Sequence, residues 1–269
     1  MHNLNLHADL ILAIQSGDNS LVKSILDIRC DQVALDSALC WASRYGNLDV
    51  VNLLLQNGAN PNAEVWGGFT PILWATMFSP DNNVLNVLIE AGAGVNCSSS
   101  KRRQTPLHAA IIRGNHQMVS LLIESGANID AQDYMYKTPL LHAVLKKKTS
   151  GVKVLLHHNC DVNLTGWVNG TSVSPLIQAL IQNNLESTKM LILAGAKFTM
   201  EAIYQTYTIN QYYHTAESYD FDVRPLYLQQ QCRICIRNLL KPKFLEKLSQ
   251  MMLPNALKEF ISLAELKYF

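Results

Sequence analysis

Charge is scarce in this chain. Only 16% of its 269 residues are Asp, Glu, Lys or Arg, and they nearly cancel, to a formal net charge of +1. That balance excludes a protein held to nucleic acid or to an acidic partner by bulk charge. A hydrophobic share of 48% excludes disorder and leaves ample material for a core. Long apolar runs are also missing, and none approaches the ~18 residues that a membrane-spanning helix needs. Cysteine is sparse. Cys30, Cys40, Cys97, Cys160, Cys232 and Cys235 are scattered rather than set out as a framework. The stretch Met1 to Asp9 lacks both a basic flank and a long apolar core, so no signal peptide is expected. Reduced thiols follow, and with them a cytoplasmic address that extends to the nucleus.

What the chain has in abundance is repetition. Thr105-Pro106-Leu107-His108-Ala109-Ala110 opens a unit that continues through Gly114, Val119, Leu122-Ile123 and Gly126-Ala127. Thr105 is suited to cap a helix, and Pro106 to fill its first position, where no N–H is needed. Gly114 is placed to end that helix in the left-handed conformation. Val119, Leu122 and Ile123 give a second helix its apolar stripe. One such hairpin cannot bury both faces, and the pattern recurs from Ser37, Thr70, Thr105, Thr138 and Ser174. Pro71, Pro106, Pro139 and Pro175 follow the last four starts, while Ala38 follows the first. Gly-Ala recurs at Gly58-Ala59, Gly92-Ala93, Gly126-Ala127 and Gly195-Ala196.

A period near ~33 residues with Thr-Pro-Leu-His resembles the ankyrin repeat. The resemblance covers residues 8–198 and implies an all-α solenoid of about six repeats within 1–198, starting near 8, 37, 70, 105, 138 and 174. Residues 8–30 read as a worn first repeat, as expected where an outer face meets water. Three departures stand out. Ser79-Pro80 replaces the turn glycine of the third repeat, where Pro80 is expected to open the turn. Lys147 and Asn159 replace turn glycines in the fifth, and Asn tolerates the left-handed conformation. Its trailing segment, Thr165 to Val173, reads as a long loop carrying Trp167.

After Phe198 the period stops. Residues 199–222 carry Tyr204, Tyr207, Tyr212, Tyr213, Tyr219 and Phe221, and read as part cap, part linker. Residues 223–269 hold eight Lys and Arg against three Glu and form a separate small unit with three helical patterns, broken at Pro242 and Pro254. In the first pattern Leu228, Cys232 and Ile236 are spaced by four. At ~100° per residue they drift only ~40° per step, so they make one narrow stripe suited to a groove on a partner. A unit of ~50 residues seldom holds a core by itself. A partner, or docking on the repeats, is expected to complete it.

Pro225-Leu226-Tyr227-Leu228, then Cys232-Arg233 and Ile236-Arg237, resembles the start of a SOCS box. Leu253-Pro254-Asn255-Ala256-Leu257-Lys258-Glu259-Phe260 resembles its closing segment, although Met251-Met252 stand where a second Leu-Pro is usual. Repeats followed by this box resemble the ankyrin repeat and SOCS box family. The resemblance implies a small three-helix box that binds elongin C, with elongin B, through Pro225, Leu228, Cys232 and Ile236. It implies that Leu253, Pro254, Leu257 and Phe260 meet cullin-5 with its RING partner. The family role is substrate receptor of a ubiquitin ligase: the repeats hold a target that is ubiquitinated and degraded. That role has no catalytic residue of its own, no metal and no cofactor. The alternative is a non-catalytic scaffold whose last helices only cap the solenoid.

Several residues invite sharper readings. Cys232 and Cys235 lie inside a helical pattern without a second pair at ligand spacing, so partner contact and packing are expected rather than a metal. His108 and His142 fall where the repeat uses His to hydrogen-bond its own turns, and His157-His158 falls at a helix end, which favours a cation. Lys146-Lys147-Lys148 and Lys101-Arg102-Arg103 lack interleaved aromatics and read as solvated turns rather than nucleic-acid contacts. Trp66, Phe69, Trp74, Met77 and Phe78 concentrate rings where ankyrin arrays meet partners. The candidate target contacts are Trp66, Phe69, Trp74, Arg102, Arg103, Tyr134, Tyr136 and Trp167.

Overall fold

A computed structural model describes residues 3–197 apart from 29, 66, 81 and 183. The 199–222 stretch and all residues assigned above to elongin and cullin contact therefore lie outside the described residues. The described chain is helical, with twelve helices and one small hairpin, and divides into two compact units between Tyr134 and Met135.

The first unit carries four helix pairs: α1 (Asn3–Ser16) with α2 (Asn19–Leu26), α3 (Gln32–Tyr45) with α4 (Leu48–Gln56), α5 (Pro71–Phe78) with α6 (Asn83–Glu90), and α7 (Pro106–Arg113) with α8 (His116–Glu124). Each first helix packs on the next, α1 on α3, α3 on α5 and α5 on α7, while α2, α4 and α6 stack alongside. Each pair thus meets its neighbours in sequence, as a solenoid requires. Leu10, Ile14, Leu39, Leu54, Leu73, Leu88, Leu107 and Leu122 are fully buried between the pairs. At ~1.5–3 kcal/mol each, such side chains dominate the stabilisation.

The second unit holds α9 (Pro139–Leu145), α10 (Thr149–His157), α11 (Pro175–Ile181) and α12 (Leu185–Leu193), with β1 (Gly166–Val168) and β2 (Thr171–Val173) between α10 and α11. The segment 165–173, read from sequence as a loop, is an antiparallel hairpin with Trp167 paired to Ser172. Asn169 and Gly170 turn it, with φ of 50° and 81°. Two consecutive left-handed residues suit the right-handed twist of a two-residue hairpin, and Asn-Gly is the pair that adopts them.

Helix starts follow the Thr-Pro signal where it exists. Thr70, Thr105, Thr138 and Ser174 are extended and precede Pro at the first helical position. Thr105, Thr138 and Ser174 accept from the amide three residues on. Thr70 makes no such bond, and its hydroxyl lies 3.1 Å from the Cys97 thiol. His108 Nδ1 accepts from the Thr105 amide at 3.2 Å and lies 2.9 Å from its hydroxyl.

Ser37 is different. It sits inside α3, a helix of 14 residues capped by Asp31. The 14-residue α1 likewise begins five residues before Ala8. Without a Pro to forbid the α conformation before it, neither helix is stopped at the expected start. The first two repeats therefore have longer first helices than the rest.

The second helices are capped by a recurring Asx residue. Asp18, Asn47, Asn115 and Asn184 accept from Leu21, Val50, Met118 and Ser187. Further along, a second Asn series joins repeats. Asn62 donates to the Gly92 carbonyl at 2.9 Å and accepts from the Gly94 amide at 2.7 Å. Asn96 does the same with Gly126 and Asn128, at 3.0 and 2.7 Å. In the second unit Asn163 accepts from the Lys197 amide at 2.7 Å. These Asn residues fall four positions after the turn Gly or its substitute Asn159, a phase visible in the sequence but not used above.

The turn at Ser79-Pro80 is opened as expected: Ser79 has φ −58° and ψ 131°, not the left-handed conformation. Arg113 compensates. Its guanidinium donates to the Thr76 carbonyl at 2.8 Å and to the Ser79 carbonyl at 2.9 Å, at the C-terminal end of α5. A cation placed there also meets the negative end of the helix dipole. Replacing Arg113 by Ala is expected to destabilise the protein by ~2 kcal/mol, read by chemical denaturation, because two charge-assisted bonds are lost at once.

Candidate functional site

The first helices of the second and third repeats turn the same positions outward. Trp41, Arg44 and Tyr45 on α3 stand in phase with Trp74, Met77 and Phe78 on α5. Their rings form a continuous cluster. Trp41 stacks on Tyr45 with centroids 5.9 Å apart and on Trp74 at 6.1 Å. Trp74 meets Phe78 at 5.4 Å and Phe69 at 5.3 Å. Tyr45 and Phe78 are exposed. The Trp74 indole N–H is buried and has no acceptor.

Arg44 lies across this cluster. Its guanidinium carbon is 5.5 Å from the Trp41 ring centre, 4.9 Å from Trp74 and 4.5 Å from Phe78. Three rings attract the cation through their π-electrons. Among the described residues it has neither an ion pair nor a hydrogen bond, so its N–H edges remain available.

Next to the rings is a cavity of about 340 Å³ lined by Phe69, Leu73, Met77, Lys101, Arg102 and Gln104, with Ser99 and Ala109 completing it. Its floor is apolar, its rim carries two cations, and among the described residues no acid lines it. The loops position that rim. Val65 and Phe69 exchange both backbone hydrogen bonds, at 2.9 and 3.0 Å, which closes a tight loop over Gly67 and Gly68. Ser100 N–H donates to the Gly67 carbonyl and Tyr134 N–H to the Arg102 carbonyl, so neighbouring loop tips are tied in series.

Of the residues singled out from sequence, Phe69, Trp74 and Arg102 come together here. Trp66 lies outside the described residues. Arg103 is exposed at the loop tip with φ 50°. Tyr134 is exposed in the first unit. Tyr136 and Trp167 belong to the second unit, where both are exposed and the Trp167 amide donates to the Met135 carbonyl at 2.7 Å. Sequence reasoning missed Trp41, Arg44, Tyr45 and Lys101. The signal was available: Trp41 and Trp74 occupy one repeat position, and Tyr45 and Phe78 another.

Arg103 and Tyr136 hold a conformation that disfavours side chains bearing a Cβ, and both are at loop tips. Strain of this kind is retained where a side chain is needed in place. Exchanging Arg103 for Gly is expected to stabilise the fold by ~1 kcal/mol, a small rise in melting temperature seen by calorimetry.

Burial pushes the Cys40 thiol up to about 12, with Asp36 adding to the effect, and raises those of Cys97 and Cys30. These thiols are packing groups rather than thiolate nucleophiles.

The ankyrin repeat family model matches residues 10–99 and 72–166, and the SOCS box family model matches residues 224–262. The chain belongs to the ankyrin repeat and SOCS box family. Among curated proteins, the 2-5A-dependent ribonuclease of Mus musculus is 36% identical over 73 residues. That match covers 25% of this ankyrin repeat and SOCS box protein and 10% of the ribonuclease, so the chain spans about a tenth of the curated relative it matches. A likeness of that extent carries no activity across. Both parts of this ankyrin repeat and SOCS box protein are adaptor-type domains, and the groove lies within the repeats.

Proposed function

We propose that this chain is the substrate-recognition subunit of an elongin B/C–cullin-5 ubiquitin ligase and has no catalytic group of its own. The observation that carries this reading is the succession of repeats over residues 10–166 and a SOCS box over 224–262 in one chain. The Leu228, Cys232 and Ile236 stripe, with Pro225 before it, hooks elongin C. Leu253, Pro254, Leu257 and Phe260 meet the cullin. The repeats hold the target, and the RING partner brings the loaded conjugating enzyme alongside. Rate then comes from proximity, because target lysines held near the thioester react at a high effective concentration. Ubiquitination directs the target to the proteasome. The four described cysteines form no disulfide, in keeping with a cytoplasmic and nuclear site of action.

Tagged full-length protein, recovered from cells with and without proteasome inhibition, tests this. Elongin B, elongin C and cullin-5 are expected in both preparations, and a target that accumulates only under inhibition. Recovery without elongin under either condition leaves a scaffold of stacked repeats instead.

A further inference from the structure

The ring cluster and the cavity beside it form one surface with a definite preference. Its apolar part is built by Phe69, Leu73 and Met77, its aromatic wall by Trp41, Trp74 and Phe78. Its charge is of one sign: Arg44 lies over the rings and Lys101 and Arg102 stand at the rim, with no acid among the described residues of the lining. The unpaired indole N–H of Trp74 adds a further positive dipole at the junction. The chain's net charge of +1 makes this a local arrangement, not a reflection of composition.

We propose that this groove binds a short acidic segment of the target protein, an apolar side chain flanked by carboxylates. The apolar side chain fills the cavity of about 340 Å³, a volume suited to a Leu, Met or Phe rather than to a folded surface. One carboxylate pairs with the free edge of the Arg44 guanidinium, whose planar fork takes two oxygens at once. The other lies against Lys101 and Arg102. Arg44 needs little reordering to do this, since its guanidinium is already held among three rings. The proposal rests on the target-receptor reading of the repeats and names what that receptor selects.

A random peptide library displayed on phage and panned on the full-length protein tests it. The expected winners carry Asp or Glu on either side of a large apolar residue. Synthetic versions with Asn and Gln in place of the acids bind at least ~10-fold more weakly, as befits loss of charge-assisted bonds. Arg44→Gln is expected to cause a similar loss. The exposed pair Lys101→Gln and Arg102→Gln does so too, without contributing to the core, so the test survives if Arg44→Gln unfolds. Winners without acidic bias, no winners at all, or equal binding by the neutral peptides or by the exposed pair variant overturn the proposal. Elongin recovery is read on the same proteins. Its loss in the wild type removes the ligase reading and leaves the groove's selectivity intact, so the two failures are distinct.

Discussion

Recovery of elongin B and elongin C is expected to be abolished when Leu228→Pro and Cys232→Phe are combined, while the thermal melt of the repeats is expected to stay where it was. The expectation follows from period and size. Leu228, Cys232 and Ile236 recur every four residues, which on a helix gives a stripe one side chain wide. A narrow stripe gains its affinity from a few anchors, and the loss of one anchor typically costs ~2 kcal/mol or more. Proline inside a helix costs ~3 kcal/mol, and the sequence pattern around Leu228 is helical. Phenylalanine at Cys232 replaces a small thiol by a ring that a fitted groove cannot admit. Together these exceed ~5 kcal/mol, more than a ~1,000-fold loss of affinity, which a pull-down registers as absence. Unchanged elongin recovery would remove the ligase reading. A melt that collapses with it would show that the segment holds up the repeats, as a capping scaffold requires.

Gly46→Ala is expected to destabilise the first unit by ~3 kcal/mol or more. Two costs combine. Gly46 ends α3 with φ 75°, where a side chain with a Cβ is disfavoured by ~1–2 kcal/mol. A Cβ there also falls 2.7 Å from Pro80 Cδ and 2.8 Å from Ser79 Oγ, because the opened turn of the next repeat lies over this position. The proline ring cannot rotate away, so the backbone must shift, at a typical overpacking cost of ~1–3 kcal/mol. Gly58 is the internal control. Its φ is 85° and nothing lies within 4 Å of its Cβ position, so Gly58→Ala should show the conformational cost alone. Urea denaturation of both variants separates the terms. Equal losses would mean that Pro80 does not press on Gly46.

Gly46 also shows where the sequence was legible. Turn glycines, Thr-Pro starts and the apolar stripes are local signals repeated in phase, and each led to the right element. The starts at Ser37 and Ala8 failed because the boundary is made by proline, and those repeats have none. The loop tips were less legible for a different reason. Their shape comes from hydrogen bonds between successive repeats, such as Ser100 to Gly67 and Tyr134 to Arg102, and no single window contains both partners. Asn169-Gly170 is the exception, a two-residue hairpin signal that stood in plain view.

At the candidate site, rings on loop 65–69 and on α5 were visible as a local concentration of aromatics. Arg44 was not, because its meaning depends on Trp74 and Phe78 in the next repeat. Reading the repeats aligned at equivalent positions, rather than along the chain, brings Trp41 over Trp74 and Tyr45 over Phe78 and recovers the cluster.

The two-point Asn62 and Asn96 bonds tie successive repeats of the first unit together. Among the described residues, the first repeat is tied on by burial of Leu10 and Ile14 and by the Asn47 to Asn19 amide contact, without a bond of that two-point kind. Local opening is expected to be easier in α1 and α2 than from α3 onward. Backbone deuterium uptake is therefore expected to be fast in α1 and α2 and slow across α5 to α8. The surface formed by Arg44 and its rings is thus expected to stay assembled while α1 and α2 open.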